Sequence, residues 1–324
     1  MAMREAIINF NKQFGFQPKI ENAGNFRRAK KYIVCGMGGS HLAADLLKVW
    51  NPELDIVIHR NYGLPALPKG DLEKCLVILS SYSGNTEETL DAYTHAKRAG
   101  LNMAALSLGG ELMKCAQKDQ TSYIQFPDLG LQPRLALGLG MLGLLKFFGE
   151  EKALKELNLL EKTFRSEEYE SAGQELADRL SGRVPVIYSS EQNGPIAYNW
   201  KIKFNETGKI PAFFNVFPEL NHNEMTGFDV KNSSGELSRG FYFIVLRDPK
   251  DYPRILKRMA VLEQLYKDRG LAVGAMELKG ANVFEKIFSC LLLADWAAYY
   301  TAQNYGLEAE QVPMVEEFKR IIKA

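Results

Sequence analysis

Short apolar runs alternate with helical patterns along this chain, and this alternation constrains its fold more than any other feature. Tyr32–Cys35 is an apolar run that ends in glycines, and helical apolar spacing follows it from Leu42 to Trp50. Strands that alternate with helices at this spacing predict a parallel, doubly wound sheet. Further strands are predicted in the first half at Leu54–Ile58, Leu76–Leu79, Met103–Leu108 and Tyr123–Phe126.

The same alternation starts again in the second half of the chain. Val184–Tyr188 and Gly240–Leu246 are the clearest strand candidates there, and mostly helical patterns join the two halves. With 324 residues the chain fits two α/β domains, predicted as residues 1–150 and 151–324. The predicted fold class is therefore α/β, with two doubly wound parallel-sheet domains and flanking helices.

The charge balance and the cysteines exclude several classes of protein. Lys and Arg number 40 against 39 Asp and Glu, a balance that argues against a general nucleic-acid binder. No uncharged apolar segment reaches the ~18 residues of a membrane span, and the N-terminus lacks the apolar core of a signal peptide. The four cysteines form no CxxC or His/Cys cluster, so we expect free thiols in a reducing compartment. These features predict a soluble, cytoplasmic protein without a metal, nucleic-acid or membrane partner.

The strongest binding signal is the segment 80–86, which carries the hydroxyls of Ser80, Ser81, Ser83 and Thr86. It joins a strand candidate to a helical pattern, and so lies at the carboxyl edge of a parallel sheet, where ligands bind. A helix start favours an anion, and hydroxyls add hydrogen bonds to phosphate oxygens. Ordinary helix capping is the alternative, but one cap needs only one hydroxyl. We therefore predict a phosphate-binding loop.

The glycine-rich segment Gly36–Ser40 also follows a strand candidate and opens a helix. A dinucleotide fingerprint would need glycine at position 41, where His41 stands, and the chain has no G-K-[ST] Walker sequence. We predict instead that the glycines let the backbone approach a compact ligand, with Gly39 and Ser40 as contacts. His41 is either a further ligand contact or a helix-end histidine with a satisfied role at the surface.

Four residues are candidates for chemistry on a bound sugar phosphate. Moving a proton between adjacent carbons needs a base, a group that assists ring opening and a donor for the enediol oxygens. His222 lies in a polar segment that offers it little core, whereas Glu206 ends an amphipathic helical run. Arg134 starts an apolar helical pattern, and Lys319 lies on the last one, where a lysine is usually solvated. On spacing alone, each of the four is either a site residue or an exposed charge.

Five segments occur in an order and spacing that resemble one family: Gly36–Ser40, Ser81–Thr86, Gln132–Arg134, Lys203–Glu206 and Glu219–Asn223. Together they resemble the bifunctional phosphoglucose/phosphomannose isomerase family, which is built from two sugar-isomerase (SIS) domains. The segment around Ser83 is typical of SIS domains in general, whereas those around Glu206 and His222 are typical of this family.

This resemblance implies a role for each candidate. Arg134 would stabilise the enediolate, Glu206 would move the proton between C1 and C2, and His222 would assist ring opening. Lys319 would help ring opening or steady the sugar oxygens, although Met314 interrupts the Pro-Val pair that precedes the family's lysine. The phosphate and sugar contacts would be Gly39, Ser40, Ser81, Ser83 and Thr86.

The resemblance also implies the substrates and the assembly. Glucose 6-phosphate, mannose 6-phosphate and fructose 6-phosphate would be interconverted without metal or cofactor. Family members are typically homodimers, so His222 would act across the subunit interface in the neighbouring site. The alternatives are a non-catalytic SIS sensor of sugar phosphates and a related amino-sugar isomerase. The latter would share the phosphate loops but would not be expected to share the segments of Glu206 and His222.

Overall fold

A computed structural model describes residues 2–230 and 233–322 of the chain, in which strands and helices alternate. The strands are β1 Lys31–Cys35, β2 Ile56–His59, β3 Cys75–Ser80, β4 Asn102–Ser107, β5 Ser122–Gln125, β6 Val184–Ser190, β7 Phe213–Phe217, β8 Phe241–Arg247 and β9 Ala272–Glu277. The helices are α1 Met3–Ile8, α2 Gly39–Trp50, α3 Lys69–Leu72, α4 Glu87–Arg98, α5 Gly110–Lys118, α6 Leu137–Phe148, α7 Glu151–Thr163, α8 Glu170–Arg179, α9 Gly194–Glu206, α10 Glu224–Gly227, α11 Gly235–Arg239, α12 Pro253–Asp268, α13 Val283–Asn304 and α14 Pro313–Ile322.

These elements form two compact units. The first is Asn9–Arg165, and the second combines Ala2–Ile8 with the described residues from Ser166 onward. Because α7 packs against α6, the chain leaves the first unit after Arg165, later than the boundary near residue 150 that the sequence suggests. Each unit contains a parallel sheet with helices around it, which confirms the predicted α/β fold class.

The sheet of the first unit has the strand order β2-β1-β3-β4-β5, and all its strand pairs are parallel. Every residue of β3 is buried, as expected for an apolar run covered on both faces. In the register of β1 with β3, Cys35 pairs with Leu79. The loops that follow these two strands therefore leave the same edge of the sheet side by side.

The sheet of the second unit has the order β7-β6-β8-β9, again with parallel pairs throughout. The long helix α13 packs against both α8 and α9, and the side chains of Trp200 and Trp296 are fully buried in this unit. Between α9 and α13 lies an ion pair in which Lys203 Nζ is 2.6 Å from Asp295 Oδ1. This contact fixes the helix that ends at Glu206.

The predicted strands are confirmed to within one or two residues at most of their ends, but the helix of the apolar pattern at Arg134 starts later than that residue. It begins at Leu137, because the residues around Pro133 form a turn in which Leu135 N donates to Gln132 O at 2.8 Å. Helices α1 and α5 lie in segments for which the sequence patterns predict no helix. No helix within residues 2–230 and 233–322 is both long and apolar enough to span a bilayer.

Candidate functional site

The two predicted ligand loops of the first unit are joined by hydrogen bonds of Ser40. Ser80 Oγ donates to the Ser40 carbonyl at 2.8 Å, and Ser40 Oγ accepts from Tyr82 N at 2.9 Å. A Cβ on Gly36 would lie 2.7 Å from the Ser80 carbonyl oxygen, so only glycine allows the loops to approach this closely. The hydroxyl of Ser40 is thus part of the frame that holds the 81–86 loop.

Inside the 81–86 loop, one serine is structural and another faces outward. Ser81 is fully buried, and its Oγ lies 2.8 Å from Thr86 Oγ1 and accepts from Gly84 N at 3.0 Å. Ser83 is exposed, and its Oγ accepts from Asn85 N at 3.2 Å. Thr86 is the N-cap of α4 but makes no side-chain cap. Its hydroxyl is therefore not explained by capping, the alternative that the sequence left open.

A second glycine-dependent contact supports the same loop from the side of α5. Gly84 has a φ of +73°, and a Cβ there would lie 1.8 Å from the Gly109 carbonyl oxygen. Asn85 Oδ1 accepts from Glu111 N at 3.1 Å in the first turn of α5. The loop is therefore held on two sides before any ligand binds, and this is the preorganisation that an anion site needs.

Gly39 brings the Gln132–Arg134 turn against the first loop. A Cβ on Gly39 would lie 2.4 Å from the Pro133 carbonyl oxygen and 3.0 Å from Arg134 N. The Arg134 side chain is only 2% exposed, and a guanidinium keeps its charge at any physiological pH. Three of the five sequence segments thus meet in one place, with a permanent positive charge beside them.

His41, the other residue of this region that the sequence singled out, is not at the surface. It is 2% exposed, and its Nδ1 lies 2.5 Å from Asp45 Oδ2 one turn along α2. Of the two alternatives for His41, the one that places it at the surface is therefore wrong. The signal that could have revealed this pair is the i, i+4 spacing of the two residues on one helix face.

In the second unit, Glu206 is the last residue of α9 and is partly exposed. The helix stops there because Thr207 N and Gly208 N both donate to the Lys203 carbonyl, at 2.9 and 3.1 Å. Lys209 Nζ donates to the Glu206 carbonyl at 2.5 Å, which places a cation at the helix C-terminus. The carboxylate of Glu206 is thus carried by a helix end that is capped.

His222 lies at the end of a short turn over Glu219–Asn221 and is exposed, with its backbone N 2.9 Å from the Glu219 carbonyl. Two residues later, Glu224 accepts hydrogen bonds from the hydroxyl of Tyr188 and the amide of Asn215. Tyr188 is fully buried, and burial raises its pKa far above the usual range, so it stays protonated as a donor. Sequence reasoning missed Glu224, whose contacts tie the His222 segment to the sheet.

Lys319 lies on α14, where its ammonium pairs within the helix. Its Nζ is 2.8 Å from Glu316 Oε1 in a pair that is exposed at both ends. No residue of α14 is buried, and Met314 and Phe318 are 81% and 61% exposed. A role for Lys319 in the site remains a prediction.

The described residues offer no preformed metal centre. Within residues 2–230 and 233–322, no group of three or more His, Cys, Asp or Glu side chains is placed to hold a metal ion. All four cysteines are free, and burial raises the pKa of Cys35, which ends β1, to about 12. This thiol, next to the first loop, is therefore protonated and inert as a nucleophile near neutral pH.

Comparison with known proteins finds relatives over most of the chain. Residues 169–322 match the family model described as the bacterial phospho-glucose isomerase C-terminal SIS domain. A bifunctional phosphoglucose/phosphomannose isomerase of Caldicellulosiruptor bescii is 34% identical, over 89% of this chain and 88% of the relative. A D-glucosamine-6-phosphate 4-epimerase of Sulfolobus acidocaldarius is 29% identical, over 90% and 89%. A solved glucosamine-6-phosphate deaminase from Thermotoga maritima superposes with a TM-score of 0.66 at 15% identity, covering 96% and 97% of the two chains.

The fold and the matching family model together define a protein built from SIS domains. At 34% identity over most of both chains, this chain belongs to the bifunctional phosphoglucose/phosphomannose isomerase family. The resemblance carried by the five sequence segments is thereby confirmed, while the role of each residue in them stays a prediction.

Proposed function

We propose that this chain is an aldose–ketose isomerase that interconverts fructose 6-phosphate with glucose 6-phosphate and mannose 6-phosphate. Family membership supports the reaction class, since the relative of Caldicellulosiruptor bescii is named for both activities. The observation that carries the proposal is the hydroxyl-lined loop of residues 81–86, held by Ser40 and by buried Ser81 with the outward hydroxyl of Ser83 exposed.

In this proposal the phosphate binds to the first unit. Ser83 and Thr86 supply hydroxyl donors, and the start of α4 supplies backbone N–H groups and the positive end of its dipole. Gly39 and Ser40 lie in the neighbouring loop. The Gly39 backbone can approach the ligand closely because it has no side chain. Arg134 supplies the positive charge that favours both the substrate and an enediolate oxygen.

The proton transfer is assigned to Glu206. Its carboxylate takes the proton from C2 of the open-chain aldose to give the C1–C2 enediolate, and the hydroxyl proton of O2 passes to O1. The carboxylic acid then returns its proton to C1 as O2 becomes the ketone oxygen. His222 assists ring opening by giving a proton to the ring oxygen as the O1 hydroxyl loses one. In the reverse direction, return of the proton to one face or the other at C2 gives glucose 6-phosphate or mannose 6-phosphate. Lys319 is a further candidate for holding the sugar oxygens in place.

One coupled assay tests the reaction. Purified chain supplied with fructose 6-phosphate should yield both aldose 6-phosphates, and Glu206→Gln should lose turnover by a factor of about a thousand or more while still binding substrate. Substrate binding by the wild-type chain without any turnover would instead favour the sugar-phosphate sensor. Full turnover by the Gln variant would overturn the assignment of the base.

The active assembly is proposed to be a homodimer in which His222 serves the neighbouring subunit. Its exposed position on the second unit supports a role outside its own core. Co-expression of Glu206→Gln with His222→Ala chains tests this point, because a mixed dimer would contain one site with both wild-type residues. Recovery of activity in the mixture is expected, and two inactive homodimers with an equally inactive mixture would contradict the shared site.

The reaction is proposed to belong to cytoplasmic hexose-phosphate metabolism, at the step that glycolysis and gluconeogenesis share. The four free thiols of the chain support a reducing compartment. Expression of a tagged chain in its own host, followed by fractionation, tests the location. Recovery in the membrane fraction would contradict it.

An amino-sugar phosphate is the second candidate substrate. The Sulfolobus acidocaldarius relative named D-glucosamine-6-phosphate 4-epimerase aligns with 90% of this chain. The same assay with glucosamine 6-phosphate distinguishes the two candidate substrates. Because an epimer has the same mass as its substrate, the product is detected by chromatographic separation. Turnover of glucosamine 6-phosphate in the absence of fructose 6-phosphate isomerisation would favour this second candidate.

A further inference from the structure

The ammonium of Lys209 joins two segments of the second unit that are far apart in sequence. Its Nζ donates to the Glu206 carbonyl at 2.5 Å and also to the Gln311 carbonyl, 102 residues further along the chain. Glu206 ends α9, and Gln311 lies two residues before α14 begins at Pro313. One side chain therefore contacts both the end of the helix that carries the proposed base and the entry to the helix that carries Lys319.

The backbone around Lys209 directs its side chain to this position. Lys209 has a φ of +58°, in the left-handed region that residues other than glycine rarely adopt. The turn before it is tightly closed, because a Cβ on Gly208 would lie 2.8 Å from the Phe204 carbonyl oxygen. The chain closes behind α9 through Lys209, since Ile210 N donates to the Phe204 carbonyl at 3.2 Å, and this turn places the lysine beside the helix end.

The segment that receives the second hydrogen bond is itself ordered. Glu308 accepts from Glu310 N at 2.6 Å and from Gln311 N at 2.7 Å, and Ala309 between them is only 3% exposed. The next residue, Val312, accepts the first hydrogen bond of α14 from Glu316 N at 3.1 Å. The Gln311 carbonyl is thus a fixed acceptor, and holding it fixes the point from which α14 starts.

We propose that Lys209 is a positioning residue that couples the Glu206 end of α9 to the start of α14. This inference rests on the proposed function, in which Glu206 is the base. The last carbonyls of a helix lack partners within the helix, and a cation there stops the last turn from fraying. Lys203 holds the preceding turn through Asp295, and Lys209 holds the carbonyl of the final residue, whose carboxylate must meet the substrate carbon.

Lys209→Met tests the inference, because it keeps the aliphatic stem and removes both hydrogen bonds. We expect kcat to fall roughly ten- to hundredfold, since a small misplacement of a catalytic group has effects of this size, with KM changed less than about threefold. Lys209→Arg should recover most of kcat. Lys279→Met is the matched control, because Lys279 is a solvent-exposed lysine of the same unit that pairs with Glu277 at 3.3 Å.

Hydrogen exchange supplies a readout that does not depend on turnover. In Lys209→Met, amide exchange should rise together in peptides covering residues 200–208 and 308–316, and Lys209→Arg should restore protection in both. A rise in only one peptide, or in neither, would overturn the coupling. Unchanged kcat despite a rise in both would overturn the positioning role. Lys209→Gly, which adopts a positive φ without strain, repeats the test if the Met variant is unstable.

These readouts separate the two ideas. A wild-type chain without isomerase activity rejects the proposed function, whereas the exchange experiment still decides whether Lys209 couples the two segments.

Discussion

Lys203 Nζ lies 2.6 Å from Asp295 Oδ1, and both side chains are only 1% exposed. The pair joins α9 to α13 one turn before Glu206. Two charges removed from water are costly unless each compensates the other. We therefore expect the pair to set the register of α9 on α13 more than to add stability, because any other register would bury two unpaired charges.

Removing one member of this pair should be strongly destabilising. Lys203→Met leaves the Asp295 carboxylate buried without its ammonium, and we expect a loss of about 3–5 kcal/mol in the free energy of unfolding. The double variant Lys203→Met/Asp295→Leu should recover most of that loss. Chemical denaturation followed by circular dichroism measures both, and a double variant no more stable than the single one would contradict the coupling.

Gly39→Ala should damage the substrate loops without unfolding the sheet. The new Cβ would lie 2.4 Å from the Pro133 carbonyl oxygen, so the first loop and the Arg134 turn must separate. We expect kcat/KM to fall roughly a hundredfold, as for other misplacements of about an ångström. Gly24→Ala is the control, because a Cβ there meets no atom within 4 Å. Equal activity of the two variants would show that this contact does not shape the site.

Two serines of the same loop should give different results when each is changed to alanine. Ser83 is exposed, so Ser83→Ala should raise KM for fructose 6-phosphate roughly tenfold, the value of one hydrogen bond to a charged group, and leave thermal stability unchanged. Ser81 is buried and bonded to Thr86 and Gly84, so Ser81→Ala should cost about 1–3 kcal/mol of stability. Enzyme kinetics and thermal melts on both variants test this, and a loss of stability confined to Ser83→Ala would reverse the assignment.

Asp119 should make the first unit sensitive to acid. The hydrogen bond from Lys97, at 2.7 Å, is the largest influence and lowers the pKa of Asp119; burial opposes it, and the Tyr93 hydroxyl adds to the lowering. A carboxyl group whose pKa is lower in the folded state than in the unfolded state stabilises the fold at pH values above its unfolded pKa of 3.8. This contribution is lost as the pH falls through the lower pKa of the folded state.

Asp119→Asn should accordingly melt about 2 °C below the wild type at neutral pH, a small effect because Lys97 is largely exposed. The difference should shrink below pH 3.8. Thermal melts across this range measure it, and a difference that grows in acid would give the linkage the opposite sign.

Local patterns were enough to predict the strands and the two loops. β3 is buried throughout because both its faces are covered. The glycines come directly after β1, and the hydroxyl residues come at the end of β3 and directly after it. Periodicity and turn chemistry depend on neighbours in the chain, so a single sequence displays them. Ser81 and Ser83 were predicted together as ligand contacts, but only burial shows that one supports the loop while the other faces outward.

Contacts between distant residues could not be predicted in the same way. Lys203 and Asp295 are 92 residues apart, and nothing near either one in sequence marks it as half of a pair. In the sequence, Lys209 looks like any lysine in a turn. Only the structure shows that its ammonium donates to two backbone carbonyls. Such contacts depend on how helices pack, and propensity carries no information about that.

The uneven burial of the cysteines gives this protein a built-in attachment point for a spectroscopic label. Cys35 and Cys290 are buried with their pKa raised to about 12, and the pKa of buried Cys75 is also raised by burial. Cys115 is partly exposed on α5, the helix whose first turn contacts Asn85. A maleimide dye should therefore react first at Cys115, and no other cysteine needs to be removed. Its fluorescence should change during titration with a sugar phosphate if binding alters the 81–86 loop.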